Sequence, residues 1–94
     1  MKVRFSLIAQ AELRSALAYV AGHNPQAARR MRQSLMKAVA TLEDFPLRGQ
    51  QVGSGETRRL VSGRYLIFYE LLDREVLIAH IVHGSRKLAA ELSE

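Results

Sequence analysis

The chain has 94 residues and a mass of 10.6 kDa, so it has room for one domain, residues 1–94, with one hydrophobic core. Hydrophobic residues make up 48% and charged residues 24%, which excludes wholesale disorder, and the lack of cysteine excludes disulfides and thiolate metal sites. We expect a cytoplasmic protein, because no apolar run reaches the roughly 18–20 residues of a membrane span and the first residues lack a signal-peptide pattern. The net charge of +5 favours an acidic partner, either nucleic acid or an acidic protein.

The first half of the chain predicts one strand and two helices. Residues 2–6 alternate between polar and apolar types, as in a half-buried strand. Ser6 is a good N-cap, and apolar residues at a spacing of three to four predict a helix from there to about Gly22-His23. Asn24-Pro25 predicts the start of a second helix that ends at Phe45-Pro46. Its apolar stripe is expected to comprise Ala28, Met31, Leu35, Ala38 or Val39, and Leu42. A connection of about three residues implies an antiparallel helical hairpin.

The second half predicts a loop followed by three strands. Residues 46–56 are rich in glycine and are expected to form the loop, and strands are expected at 57–61, 64–72 and 76–83. The last strand is almost entirely apolar, so we expect it to be central and covered on both faces. The helical hairpin is the only available cover for the sheet. The prediction is therefore an α+β domain of two layers, with an N-terminal strand and a helical hairpin packed on a mainly antiparallel twisted sheet.

The patterns of common catalytic and metal sites do not match this sequence. His80 and His83 are three residues apart on a predicted strand and therefore point to opposite faces, so they cannot share a metal ion, and His80 is expected in or beside the core. Gly53-Ser54-Gly55 is too short for a nucleophile elbow, and the glycine-rich phosphate loop is absent. We therefore expect no catalytic residue, no metal and no cofactor.

A basic cluster remains on the sheet half of the chain. Arg64 precedes one predicted strand and Arg86 follows its hairpin partner, so both are expected to converge with His83 at one edge of the sheet. Basic side chains with aromatic neighbours can hold a phosphate backbone or an acidic protein segment. The alternative is a set of ordinary solubilising arginines.

Several short motifs, in this order and spacing, resemble the ParE branch of the ParE/RelE toxin superfamily. The resemblance covers residues 3–86. The motifs that carry it are Ala9-x-x-x-Leu13, Asn24-Pro25-Gln26-Ala27-Ala28-Arg29, Leu42-Glu43-Asp44-Phe45-Pro46 with Gly49, Thr57-Arg58-Arg59-Leu60-Val61, Tyr65-Leu66-Ile67-Phe68-Tyr69 and Ile81-Val82-His83-Gly84-Ser85-Arg86.

The resemblance implies a helical hairpin on an antiparallel sheet and a toxin of a type II toxin–antitoxin pair. ParE-like members block DNA gyrase without a catalytic site and cause growth arrest, and a ParD-like antitoxin, expected to be acidic, would neutralise the toxin in a hetero-oligomer. On this basis Arg59, Arg64, His83 and Arg86 are the candidate contacts to the target or the antitoxin.

Two alternatives stay open. RelE-like members cut mRNA in the ribosome. Arg59 matches a basic position shared across the superfamily, and Arg86 matches a basic residue that RelE-like members use on the scissile phosphate. Val61 stands where those enzymes have an arginine, and Leu92 lies near the position of their catalytic tyrosine, so two parts of the ribonuclease site are missing. The third possibility is a module that binds an antitoxin without being toxic. Direct binding of nucleic acid is left open.

Overall fold

In the computed structural model, which describes residues 1–85, two helices cover one face of a five-stranded sheet. The strand order is β1-β5-β4-β3-β2, with β1 parallel to β5 and the other pairs antiparallel. The predicted α+β class is confirmed. The elements are β1 (Lys2–Phe5), α1 (Leu7–His23), α2 (Pro25–Ala40), a 3₁₀ turn (Thr41–Glu43), β2 (Gln50–Gln51), β3 (Thr57–Ser62), β4 (Tyr65–Leu72) and β5 (Glu75–His83). Within residues 1–85, no helix is long and apolar enough to cross a bilayer.

Both helices begin at the predicted caps. Ser6 Oγ accepts a hydrogen bond from the Ala9 amide at 3.0 Å, and Asn24 Oδ1 accepts one from the Ala27 amide at 3.1 Å. Asn24 alone separates the two helices, so the connection is shorter than the predicted three residues. This is possible because its backbone is extended (φ −157°, ψ 99°), which lets one residue end α1 and start α2.

The core lies between α2 and the inner face of the sheet. Leu35, Val39 and Leu42 are 1%, 3% and 0% exposed, which confirms the predicted apolar stripe of the second helix. They pack on buried side chains of the sheet, namely Leu60, Ile67, Tyr69, Val76, Ile78 and Ile81. The first helix contributes less, because Ala9 is its only fully buried residue.

The predicted loop at residues 46–56 contains a strand. Gln50 and Gln51 pair with Arg59 and Arg58 and form the edge strand β2. Two glutamines show no alternation of apolar and polar residues, so the pattern could not reveal this strand. The loop is tied down by Tyr69, whose hydroxyl accepts from the Gly49 amide at 2.8 Å and donates to the Pro46 carbonyl at 2.7 Å.

A β-bulge at Ala79 changes which residues of β5 face the helices. Phe68 pairs with His80 and Tyr69 pairs with Ile78, so Ala79 has no partner on β4. Val76, Ile78 and Ile81 are buried, whereas the residues between them are half-buried or exposed. The expectation that this strand is covered on both faces is therefore wrong. The expectation that His80 lies in or beside the core is wrong as well, because the bulge turns its ring outward, to 50% side-chain exposure.

Candidate protein-interaction site

One side of β5 has no neighbouring strand in its second half. β1 ends at Phe5, opposite Ile78, so within residues 1–85 the segment 79–83 forms a free sheet edge. The Gly84 amide donates to the Arg64 carbonyl on the β4 side, so by alternation the backbone groups of Ile81 and His83 point to the free edge. Unpaired strand edges are natural sites for the addition of another extended segment.

Two side chains from the start of the chain occupy part of this edge. Ser6 Oγ donates to the Ala79 carbonyl at 2.9 Å, and Glu12 Oε1 accepts from the Ile81 amide at 3.0 Å. The same Glu12 oxygen lies 3.3 Å from His80 Nδ1. These contacts hold α1 beside the edge. Beyond them, the Ile81 carbonyl and the backbone of His83 have no hydrogen-bond partner among the described residues.

A groove runs between α1 and the free edge, and we call it the edge groove. Its volume is about 660 Å³. Small side chains of α1 form one wall, which leaves the groove open to an incoming segment. It is lined by Ala11, Glu12, Ser15, Ala16, Tyr19, Tyr65, Ile81, Val82, His83 and Ser85.

A second hollow of about 530 Å³ adjoins the edge groove at the β3–β4 turn, and we call it the tip hollow. Tyr19, Tyr65 and His83 line both spaces. Arg64 and apolar side chains of α2, including Met31 and Leu35, complete the tip hollow. The Tyr19 side chain is 71% exposed, so a large aromatic ring lies at the solvent surface between the edge groove and the tip hollow.

The ring of His83 is held in one orientation by its neighbours. It packs edge-on against Tyr65, with ring centroids 5.3 Å apart and an interplanar angle of 83°. The Ser85 amide donates to His83 Nδ1 at 3.2 Å, and Ser85 Oγ lies 2.7 Å from the same nitrogen. Because Nδ1 accepts from a backbone amide, the neutral ring carries its proton on Nε2, which is left as a hydrogen-bond donor.

The structure brings together two of the four predicted site residues. Arg64 and His83 both line the tip hollow. Arg59 lies elsewhere, because it alternates with the buried Leu60 and therefore faces away from the helices. It is also three residues, about 10 Å, along β3 from the turn, where its guanidinium donates to Gln50 Oε1 at 3.3 Å. Arg86, like Leu92, lies outside the described residues.

Sequence reasoning missed Glu12 and Tyr19. The pattern of α1 indicates which of its residues are buried, whereas the role of Glu12 and Tyr19 depends on the free edge of β5 beside them. Nothing in a single sequence shows where β1 stops pairing. The available signal in the sequence was Tyr19, a large aromatic residue in the predicted first helix.

Within residues 1–85, no group of three potential metal ligands lies together. The shorter of the two ion pairs among these residues joins Arg4 Nη2 to Glu75 Oε1 at 3.0 Å, at the other end of β5 from His83. The hydrogen bond from Arg4 lowers the pKa of the Glu75 carboxyl.

A family model described as the ParE toxin of the type II toxin–antitoxin system parDE matches residues 3–88. The chain belongs to the ParE toxin family. A solved structure of the chromosomal ParDE toxin–antitoxin system from P. aeruginosa has the same fold, with a TM-score of 0.79 and 17% identity over 88% of this chain and 95% of that chain. No curated protein matches the sequence. The family resemblance expected from the sequence motifs is confirmed.

Proposed function

We propose that this ParE-family chain is a toxin that inhibits DNA gyrase in the cytoplasm and that a cognate antitoxin neutralises it. The observation that carries the proposal is the family match over residues 3–88, which makes the chain a ParE-type toxin of a type II system. The site agrees with a toxin that acts by binding, because it offers an open groove beside a free strand edge.

The edge groove is the proposed docking site of the antitoxin. An extended antitoxin segment would pair with the backbone of Ile81 and His83 along the free edge, and a helical segment would cover Tyr19. Removing exposed apolar surface from water supplies the affinity. An acidic antitoxin would also complement the net charge of +5 and associate faster at low salt.

Arg64 and His83 are proposed as contacts to the target or the antitoxin from the tip hollow, where they lie together. Arg59 faces the opposite side of the sheet, so its proposed contact belongs to a second surface. Arg86 is kept as a proposed contact on the basis of the family motif alone.

The target is tested by measuring supercoiling by purified gyrase in the presence of the isolated protein. We expect inhibition at micromolar concentration, weakened by Arg64→Ala or His83→Ala. Arg74→Ala is the matched control, because it removes an exposed arginine from the β4–β5 turn, away from the edge groove and the tip hollow. Normal supercoiling with the native chain would contradict gyrase inhibition. Discrete mRNA cuts after induction would favour the ribonuclease alternative.

The antitoxin site is tested by co-purification with the product of an adjacent acidic reading frame. Tyr19→Ala should reduce complex formation without unfolding the protein, because the side chain is 71% exposed. Leu47→Ala is the matched control, since Leu47 is 62% exposed and lines neither the edge groove nor the tip hollow. Equal loss with both variants would overturn the assignment of the groove.

A further inference from the structure

The net charge of this chain is concentrated in the helical layer. Residues 7–40 contain five basic residues and one carboxylate, a formal charge of +4, whereas the remaining 60 residues contain nine basic and eight acidic residues, a charge of +1. Within the helical layer, α2 carries Arg29, Arg30, Arg32 and Lys37 and no acidic residue. Those 60 residues, which include all five strands of the sheet, are therefore almost neutral.

The basic residues of α2 lie on its solvent side. Ala28, Leu35 and Val39 face the core, and Gln26, Arg29, Arg30, Gln33 and Lys37 are all exposed. The exposed residues recur at spacings of three and four, so they form one stripe along the helix, which we call the cationic stripe. From Arg29 to Lys37 the stripe is about 12 Å long.

No carboxylate neutralises this stripe within the described part of the chain. The ion pairs there are Arg4 with Glu75 and His80 with Glu12, and neither involves α2. Like charges three residues apart, such as Arg29 and Arg32, repel each other and weaken the helix. A single acid at position 33 would relieve that repulsion, but the chain has glutamine there.

We propose that the cationic stripe of α2 binds the phosphate backbone of double-helical nucleic acid. A duplex carries one negative charge per roughly 1.7 Å of its axis, so a stripe of this length faces several phosphates at once. Arginine, lysine and glutamine are the side chains that commonly contact phosphate and sugar. The stripe has no aromatic side chain on which unpaired bases could stack, which favours a duplex over a single strand.

This inference goes beyond the proposed inhibition of gyrase and does not depend on it. The stripe lies on the solvent side of α2, whereas the tip hollow uses its other side through Met31 and Leu35. A nucleic-acid duplex and a protein segment could therefore occupy the two surfaces together.

The test is fluorescence anisotropy of a labelled DNA duplex of about 20 base pairs with the full chain at about 50–200 mM salt. If Arg29, Arg30 and Lys37 of the stripe each meet a phosphate, log K should fall against log salt with a slope of about −3. Arg30→Gln with Lys37→Gln should weaken binding at least about tenfold and reduce the slope by about 2. The matched control, Arg48→Gln with Arg74→Gln, removes the same charge from exposed residues elsewhere and should change affinity less than about threefold.

A second variant separates binding from folding. Gln33→Glu creates pairs with Arg29 and Lys37 at spacings of four, so it should leave the melting temperature unchanged or higher while it weakens duplex binding. Equal losses in the two double variants, or tighter binding to a single strand, would overturn the proposal. Polyglutamate that binds as tightly as the duplex would overturn it in favour of an acidic protein partner. Equal affinities for RNA and DNA duplexes would support a contact to the phosphate backbone. A higher affinity for one of them would show which type of duplex the stripe binds.

Discussion

Replacing Tyr69 with phenylalanine should destabilise the fold by removing one buried hydroxyl. The side chain is 0% exposed, and its hydroxyl joins the Gly49 amide (2.8 Å) to the Pro46 carbonyl (2.7 Å). Each such bond contributes roughly 0.5–1.5 kcal/mol net, so the loss of both should lower the free energy of unfolding by about 1–3 kcal/mol. The phenyl ring keeps its apolar contacts, so the effect isolates the hydroxyl.

The assay is urea unfolding followed by circular dichroism. The midpoint should fall while the m-value stays constant, because the surface exposed on unfolding does not change. In a chain of this size, each kcal/mol corresponds to roughly 4–8 °C in melting temperature. Tyr65→Phe is the matched control: the same change on the same strand, at a hydroxyl without a hydrogen bond to any described residue, should stay within about 0.5 kcal/mol. If the two variants lose equal stability, the proposed anchoring of residues 46–49 is incorrect.

Three further changes test other parts of the fold. Gly49→Ala should lower stability by about 1–3 kcal/mol, because a Cβ there would lie 2.7 Å from the Tyr69 ring and 2.9 Å from the Arg59 carbonyl; unchanged thermal unfolding would contradict this close approach. Ser6→Ala should lower the free energy of unfolding, measured by chemical denaturation, more than Asn24→Ala does. Both variants lose a helix cap, about 1 kcal/mol each, but Ser6→Ala also loses the hydrogen bond to the Ala79 carbonyl. Equal effects would argue against that second bond. Arg4 lowers the pKa of Glu75 in the folded state, so the pair stabilises the fold above the ordinary glutamate range, and that stability is lost as the pH falls below about 4.3. Glu75→Gln should therefore flatten the dependence of the urea midpoint on pH in this acidic range. An unchanged pH profile would exclude a contribution of the pair to stability.

The features that were predictable from the sequence are those set by local chemistry. Ser6 and Asn24 are strong caps, and the apolar stripe ending at Leu42 follows the helical period, so the starts of both helices and the buried side of α2 were correct. The three long strands have strong β propensity. The strand Gln50–Gln51 was missed because its pairing with β3 is imposed by tertiary structure.

The candidate site was less predictable because it is built by neighbours distant in the chain. Arg64 and His83 could be placed together from the β4–β5 hairpin, since strand pairing follows from the turn at Asp73 and Arg74. Arg59 could not be separated from them without the burial of Leu60, which fixes the face of β3. The charge of α2 was visible in the sequence, but its meaning depends on knowing that this side of the helix is uncovered.

The bulge at Ala79 decides which histidine belongs to the site. In an unbroken strand, His80 would follow Val76 and Ile78 onto the inner face, and His83 would point outward. The extra residue reverses this order after Ile78, so Ile81 completes the core and His83 faces the tip hollow.

The start of the chain holds this irregularity in place. Ser6 Oγ accepts from the Ala9 amide and donates to the Ala79 carbonyl, so the residue that caps α1 also fixes the bulge. Glu12, six residues after Ser6, then accepts from the Ile81 amide on the same free edge. Because a bulge leaves backbone groups without ladder partners, it persists where side chains replace those bonds. The face of the sheet on which His83 lies is therefore determined by α1, the same helix that forms the opposite wall of the edge groove. A change at Ser6 should disturb the site as well as the helix.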